Sequence, residues 1–279
     1  MKIASLSCAC TEGNLPLDHF SSGECTSPPL PLELLGGIFT HLTGDTFHAD
    51  GRITATRLAT CPREIAIVDA LAIEGVDLTK GNSTFWGTMK HLELWKRKLP
   101  GTTVEIEIPP TPLFGVMVSG KVDKVSADLS TIEDWKTHAE NGQRYAVKEV
   151  KASNIIQLNI YALLLKKSRG IDIKNLAIWH LAEVGGSGVP CGYRQEIPLL
   201  PEEVIAEMPI DEGTSVTVQE IADAYRVNAA ARPLLGEGTR EEWLRWFKLF
   251  EMVGVNLFNG KKCEKYCWAK GICDEVEAL

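Results

Sequence analysis

Three short stretches with strand-like patterns follow one another in the middle of the chain, and they constrain its fold most. Residues 103–108 alternate polar and apolar side chains, and residues 114–125 and 131–136 are similarly suited to strands. Strands in such close succession are typical of an antiparallel meander. An amphipathic helix over residues 153–167 and an apolar strand over residues 176–184 come next. This order predicts an α/β domain with a mixed central β-sheet flanked by helices.

The remaining chain divides into flanking regions around this predicted core. Residues 1–50 are rich in Gly, Pro, Ser and Thr and show no sustained periodicity, so we predict an irregular N-terminal arm. We predict a core over residues 51–200 and C-terminal helices over residues 201–279. The predicted additional elements are helices over residues 54–73, 83–98, 216–228 and 240–253, and a strand at or near a sheet edge over residues 193–197.

Composition excludes several classes of protein. The chain has 279 residues, of which 44% are hydrophobic, which is ordinary globular usage. No apolar run approaches the ~20 residues of a membrane span, and the first residues lack the apolar segment of a secretory signal, so we expect a cytoplasmic protein. The net charge of −8 provides no general attraction for nucleic acid. Local basic clusters near Lys96 and Lys262 could still contact phosphates.

Two acidic residues and a lysine form the most informative constellation. Strand alternation places Asp134 and Lys136 on one face, and a hairpin return brings Asp123 close to them. Carboxylate oxygens suit Mg²⁺ or Mn²⁺, and an adjacent ammonium can position the attacking water. A surface ion pair between Asp134 and Lys136 is the simpler alternative. Glu133 is an alternative acid, although alternation points it away from Asp123.

Four short motifs in order carry a family resemblance. Residues 87–91, 120–123, 134–136 and 157–161 are similar to the series G-T-x-x-H, G-x-x-D, (D/E)-x-K and Q-x-x-x-Y. This series marks PD-(D/E)XK nucleases of the RecB-like branch, which includes CRISPR-associated exonucleases. The resemblance implies a restriction-endonuclease-like core. Val122 stands where the family often has Pro, and Asp134 where Glu is more usual.

The resemblance also implies roles for individual residues. His91, Asp123 and Asp134 would bind the catalytic Mg²⁺ or Mn²⁺, and Lys136 would act on the attacking water. Gln157 and Tyr161, one helical turn apart, would lie beside the site and help to place Lys136 or the DNA strand.

The cysteines predict a second metal site. Cys263, Cys267 and Cys273 lie in one short segment, which indicates a shared set of ligands. The segment around Cys61 resembles the Ser-x-Leu-x-x-Cys-Pro-Arg segment of iron–sulfur members of the family, in which four such cysteines hold a structural [4Fe–4S] cluster. This cluster would tie the N-terminal and C-terminal helical parts together. Four thiolates suit tetrahedral zinc equally well, and the C-x₃-C-x₅-C spacing differs from the usual C-x₂-C-x₅-C, so zinc stays an alternative.

The resemblance implies a metal-dependent DNA nuclease, with exonuclease action on single strands or duplex ends. Its partners would be DNA and a helicase or a recombination, repair or CRISPR complex. Two alternatives belong to other classes of protein. The first is a nuclease-like module that binds DNA or a helicase without cutting, and the second is a zinc-stabilised interaction protein.

Overall fold

The structure is a computed structural model that describes residues 2–3, 5–8, 13–16, 53–61, 63, 66–67, 72–73, 103–138, 148–184, 189–210, 215–228, 238–250 and 270–279. Its strands, numbered in chain order, are β1 (Lys2–Ile3), β2 (Ser5–Cys8), β3 (Gly13–Pro16), β4 (Ile53–Thr54), β5 (Ala72–Ile73), β6 (Thr103–Leu113), β7 (Val116–Val125), β8 (Thr131–His138), β9 (Asn175–Val184) and β10 (Val189–Ile197). Its helices are the 3₁₀ helix Arg57–Ala59, α1 (Ala152–Arg169), α2 (Glu202–Ala206), α3 (Val218–Asn228), α4 (Arg240–Lys248) and α5 (Lys270–Glu277).

A mixed sheet of six strands lies at the centre, in the order β10-β9-β8-β7-β4, and β6 pairs with the other edge of β7. The β6-β7-β8 meander and the β9-β10 pair are antiparallel, whereas β8-β9 and β4-β7 are parallel. This arrangement confirms the predicted mixed α/β sheet, its meander and its edge strand β10. The predicted N-terminal arm contributes β1 to β3, of which β1 pairs with β5.

Strand β6 continues through two prolines where we predicted that it would stop. Proline has no N–H to donate, so it is tolerated only at a sheet edge or a bulge. β6 pairs only with β7 among the described strands, and its register shifts between Ile108 and Thr111. The hairpin then turns at Phe114-Gly115, where both residues have positive φ, as a two-residue type I′ turn requires.

Helix α1 packs across the sheet and carries the residues that complete the candidate site. It ends at Gly170, whose left-handed conformation allows the last carbonyls to be capped. The predicted helix over residues 54–73 is wrong at both ends, because Ile53 and Thr54 pair with β7, a 3₁₀ helix follows, and the last two residues form β5. The predicted helix over residues 83–98 lies outside the described residues.

Two apolar clusters stabilise this arrangement. The main core joins the sheet to α1 and α3. The second core joins Ala66 and Ile67 to aromatic side chains of α4 and to Val276 of α5, so that a segment near Cys61 packs against the C-terminal helices. No helix in the described part of the chain is long and apolar enough to cross a membrane.

Candidate active site

A gap in the central sheet defines the site. Along one edge, β7 pairs with β4 at Val118 and Ser119 and with β8 at Lys124 and Val125. Between these points, residues 120–123 have no strand partner on that edge among the described residues. The gap therefore coincides with the predicted G-x-x-D motif.

Asp123 and Asp134 face each other at this gap. The β7–β8 register pairs Val125 with Ile132 and Lys124 with Glu133, and its continuation would place Asp123 opposite Asp134. There the ladder ends, and the Trp135 backbone N–H donates to Asp123 Oδ2 at 2.8 Å instead. The Asp123 carboxylate therefore accepts a hydrogen bond that a backbone carbonyl would accept in a continuous ladder. Asp134, on the facing strand, is only 4% exposed.

Lys136 connects the acidic residues to helix α1. Its Nζ lies 2.8 Å from Asp134 Oδ2 and donates to Gln157 Oε1 at 3.1 Å. The other end of the Gln157 amide donates to the hydroxyls of Tyr161 at 2.9 Å and Thr56 at 3.1 Å. An ammonium can only donate, so the amide oxygen must face Lys136, and this fixes the orientation of Gln157. The structure thus brings four predicted site residues and Thr56 into one network.

The ring of Tyr161 explains why residue 120 is a glycine. A Cβ added to Gly120 would lie 2.5 Å from Cε1 of Tyr161, closer than real Cβ contacts allow. The ring thus packs directly on the backbone of β7 beside the gap. Burial raises the pKa of the Tyr161 hydroxyl to about 12, so it stays a neutral hydrogen-bonding group.

Glu133 lies on the opposite face of β8 from Asp134. It pairs with Lys124 and with Arg194, whose Nε is 3.4 Å from Glu133 Oε1. Burial alone would raise the pKa of Glu133, but the hydrogen bond and charge of Lys124 outweigh it, and the pKa is lowered. Its two cationic partners give Glu133 a structural role away from the gap.

A pair of histidines extends the polar face beyond Lys136. His138 Nε2 lies 2.9 Å from His180 Nδ1, and His180 Nε2 lies 3.0 Å from Gln195 Oε1. We had predicted no functional role for either histidine. The signal was present in the sequence, because His138 follows Lys136 at strand spacing and His180 interrupts an apolar strand.

Two of the four predicted cluster cysteines fall within the described residues. Arg63, two residues after Cys61, donates to Cys273 Sγ at 3.7 Å and forms an ion pair with Glu277. Cys61 and Cys273 are both of intermediate exposure. The buried Nε of Arg63 has no hydrogen-bond partner within the described residues. Cys263 and Cys267 lie outside them, as do His91 and both Lys96 and Lys262.

The two carboxylates at the gap fit a hard divalent cation. Mg²⁺ keeps several waters and is commonly held by one or two carboxylates together with substrate phosphates. No group of three or more His, Cys, Asp or Glu that could hold a metal ion occurs among the described residues. The described side-chain donors are therefore Asp123 and Asp134, and a third His, Cys, Asp or Glu ligand would have to come from outside the described residues.

Comparison with known proteins agrees with this fold. Residues 52–274 match the family model described as PD-(D/E)XK nuclease superfamily, which is most of the chain. The chain therefore belongs to the PD-(D/E)XK nuclease superfamily. This membership implies nuclease activity, DNA binding and the use of a divalent metal such as Mg²⁺.

One solved structure, that of the protein SSO0001, is similar over 86% of this chain and 93% of its own, with 17% sequence identity and a TM-score of 0.49. No curated protein matches the sequence.

Proposed function

We propose that this protein is a divalent-metal-dependent deoxyribonuclease of the RecB-like branch that acts as an exonuclease on single strands or duplex ends. One observation carries the proposal. Asp123, Asp134 and Lys136 converge where strand pairing along β7 is interrupted, within the segment that the superfamily model matches.

The acidic residues would hold the metal, with His91 as the third ligand implied by the family motif. A Mg²⁺ or Mn²⁺ ion bound there would polarise the phosphodiester and lower the pKa of a bound water. Asp134 is buried and held beside Lys136, whereas Asp123 is fixed by the backbone N–H of Trp135. These contacts hold the two carboxylates in defined positions before any substrate arrives.

Lys136 would act on the water and on the charge that develops on the phosphate. Its ammonium has three N–H groups, and its described contacts are Asp134 and Gln157. A remaining N–H can therefore donate to a water or a phosphate oxygen. Gln157 positions Lys136, and Tyr161 and Thr56 position Gln157 in turn.

A structural metal cluster is the second part of the proposal. Cys61, Cys263, Cys267 and Cys273 would hold a [4Fe–4S] cluster, with zinc as the alternative. Arg63 supports this, because its guanidinium links the segment after Cys61 to Cys273 Sγ, and its buried Nε–H has no hydrogen-bond partner among the described residues. A positively charged donor is suited to a site that concentrates thiolate charge.

Digestion of end-labelled DNA tests the catalytic proposal. We would incubate single-stranded and duplex DNA with Mg²⁺, Mn²⁺ or EDTA and compare wild type with Asp134→Asn and Lys136→Ala. Glu133→Gln is the matched control, because Glu133 is the neighbouring acid on the opposite face. We expect metal-dependent cutting by wild type and Glu133→Gln, and loss of cutting in the other two variants.

Two results would overturn the proposal. Cutting that persists in folded Asp134→Asn would remove Asp134 from the site. Absence of cutting by wild-type protein with an intact metal cluster would favour a module that binds DNA without cleaving it. The labelled end also reports the direction of digestion.

A further inference from the structure

One row of side chains crosses the sheet from the candidate site to its edge. Lys136 on β8 pairs with His180 on β9, and His180 pairs with Tyr193 on β10. Paired residues in a sheet place their side chains on the same face. The Cβ position of Gly192 points instead at Trp179 and Leu181, which confirms that Tyr193 shares the face of His180.

Exposure increases sharply along this row. His180 is 1% exposed, whereas Tyr193 is 49% exposed. The other large exposed hydrophobic side chains in the described residues are aliphatic or Met, so Tyr193 is the aromatic member of that group. Ile197 lies on the same strand and face and is buried in the main core. This face of β10 is therefore covered at Ile197 and open to solvent at Tyr193.

The floor between Lys136 and Tyr193 is polar and held in place. His180 is fixed between His138 and Gln195, and the two imidazole rings stack with centroids 5.1 Å apart. Burial lowers the pKa of His138, and the charges of His180, Lys151 and Lys136 lower it further. The ammonium groups of Lys151 and Lys136 therefore lie close enough to His138 to affect its charge. The lysines flanking His138 and His180 attract the phosphates of a nucleic-acid backbone, whereas the neutral imidazoles add no charge to this surface.

We propose that Tyr193 is a stacking platform for a nucleobase of a single nucleic-acid strand whose scissile phosphate lies at Lys136. This inference rests on the proposed nuclease function and specifies the substrate that the site takes. Two strand spacings place Tyr193 about 10 Å from Lys136, within reach of a nucleotide close to the cut. Bases of any identity stack on an aromatic ring, whereas bases inside a duplex have both faces covered and must unpair first.

Binding measurements test the platform. We would measure fluorescence anisotropy of labelled oligodeoxynucleotides in EDTA, which prevents cutting, for wild type, Tyr193→Ala and Tyr193→Phe. Leu199→Ala, which truncates an exposed side chain outside the row, is the matched control. We expect Tyr193→Ala to weaken single-strand binding about 5- to 100-fold, corresponding to ~1–3 kcal/mol. Tyr193→Phe, Leu199→Ala and binding of blunt duplex should change little.

An abasic residue moved along the oligonucleotide identifies the stacked base. Wild type should lose affinity when the abasic position reaches the platform, and Tyr193→Ala should not, because the two losses remove the same contact. Equal single-strand affinity of wild type and Tyr193→Ala would overturn the platform. If wild type also cuts DNA, that result leaves the nuclease function standing. Weakened binding in Tyr193→Ala together with a wild type that never cuts would instead support the platform and remove the nuclease function.

Discussion

At the scale of single residues, position along a strand made the acidic pair and its lysine predictable. Alternation places Asp134 and Lys136 on one face, and the structure joins them by an ion pair. The sequence did not reveal Thr56, whose hydroxyl reaches Gln157 from 101 residues away. Contacts between distant segments leave no local periodicity, so a single sequence does not show them.

Gly120 provides a prediction about stability at this scale. Gly120→Ala should destabilise the protein by about 1–3 kcal/mol, because its Cβ would overlap the Tyr161 ring. The Tyr161 ring is buried between helix α1, which carries it, and the backbone of β7 at Gly120, so it has little room to move. Chemical denaturation of Gly120→Ala in the wild-type and Tyr161→Leu backgrounds checks the cause. A penalty equally large in both backgrounds would show that another contact is responsible.

Gln157 provides a prediction about activity. Gln157→Leu removes the oxygen that accepts from Lys136 and should lower kcat about 10- to 100-fold, as loss of a positioning group near a metal site typically does. KM for DNA should change much less, because Gln157 is 91% buried by its neighbours and does not present a surface to the substrate. Steady-state cutting rates over a range of DNA concentrations measure both, and Tyr161→Phe, which keeps the ring, is a milder comparison. Unchanged kcat in folded Gln157→Leu would contradict this role.

At the scale of elements, predicted types were more successful than predicted ends. Strands β6 to β10, the edge position of β10 and helix α1 were predicted from their periods. Strands β1 to β5 were not predicted. The end of β6 was wrong, since prolines interrupt a central strand but not an edge strand. Both ends of the predicted helix over 54–73 were wrong because strand pairing of β4 with β7 and of β5 with β1, which are tertiary contacts, outweighs local preference.

The histidine pair between β8 and β9 predicts a pH dependence of folding. Burial lowers the pKa of both His138 and His180, and Lys136 contributes to each shift, while Asp134 and Gln195 partly oppose it at His180. Below the ordinary histidine pKa of about 6.5, the unfolded chain therefore binds more protons than the folded one. Stability should be greatest above that pH and fall as pH drops from about 6.5 towards the lower folded-state pKa values.

Thermal unfolding of the protein without added Mg²⁺ or Mn²⁺, at several pH values between about 5 and 8, checks this expectation. His138→Asn removes one titrating group and keeps a side chain that can hydrogen-bond to His180. Its melting temperature should therefore decline less steeply below about pH 6.5 than that of wild type. Parallel curves for the two proteins would show that the pair does not control acid stability.

At the scale of the whole molecule, the second core joins distant parts of the chain. Ala66 and Ile67 pack with α4 and α5, and Arg63 contacts both Cys273 and Glu277 across more than 200 residues. Spacing of the cysteines indicated a shared site in the C-terminal segment. The packing of Arg63, Ala66 and Ile67 on α5 supports the inclusion of Cys61, because it brings that segment of the chain to Cys273.

This long-range connection predicts that metal content and stability change together. Cys273→Ala should lose most of its bound metal and melt at a lower temperature, since the proposed metal shared by Cys61 and the C-terminal cysteines would hold the second core closed. Cys191→Ala is the matched control, because the sequence gives that thiol no metal role. Iron, sulfide and zinc analysis should be made beside the melting curves. Iron with equal sulfide identifies the cluster, and zinc alone identifies the alternative. Unchanged metal content in Cys273→Ala would exclude Cys273 from the metal ligands. Direct packing of Arg63, Ala66 and Ile67 would then be what joins the N-terminal segment to α5.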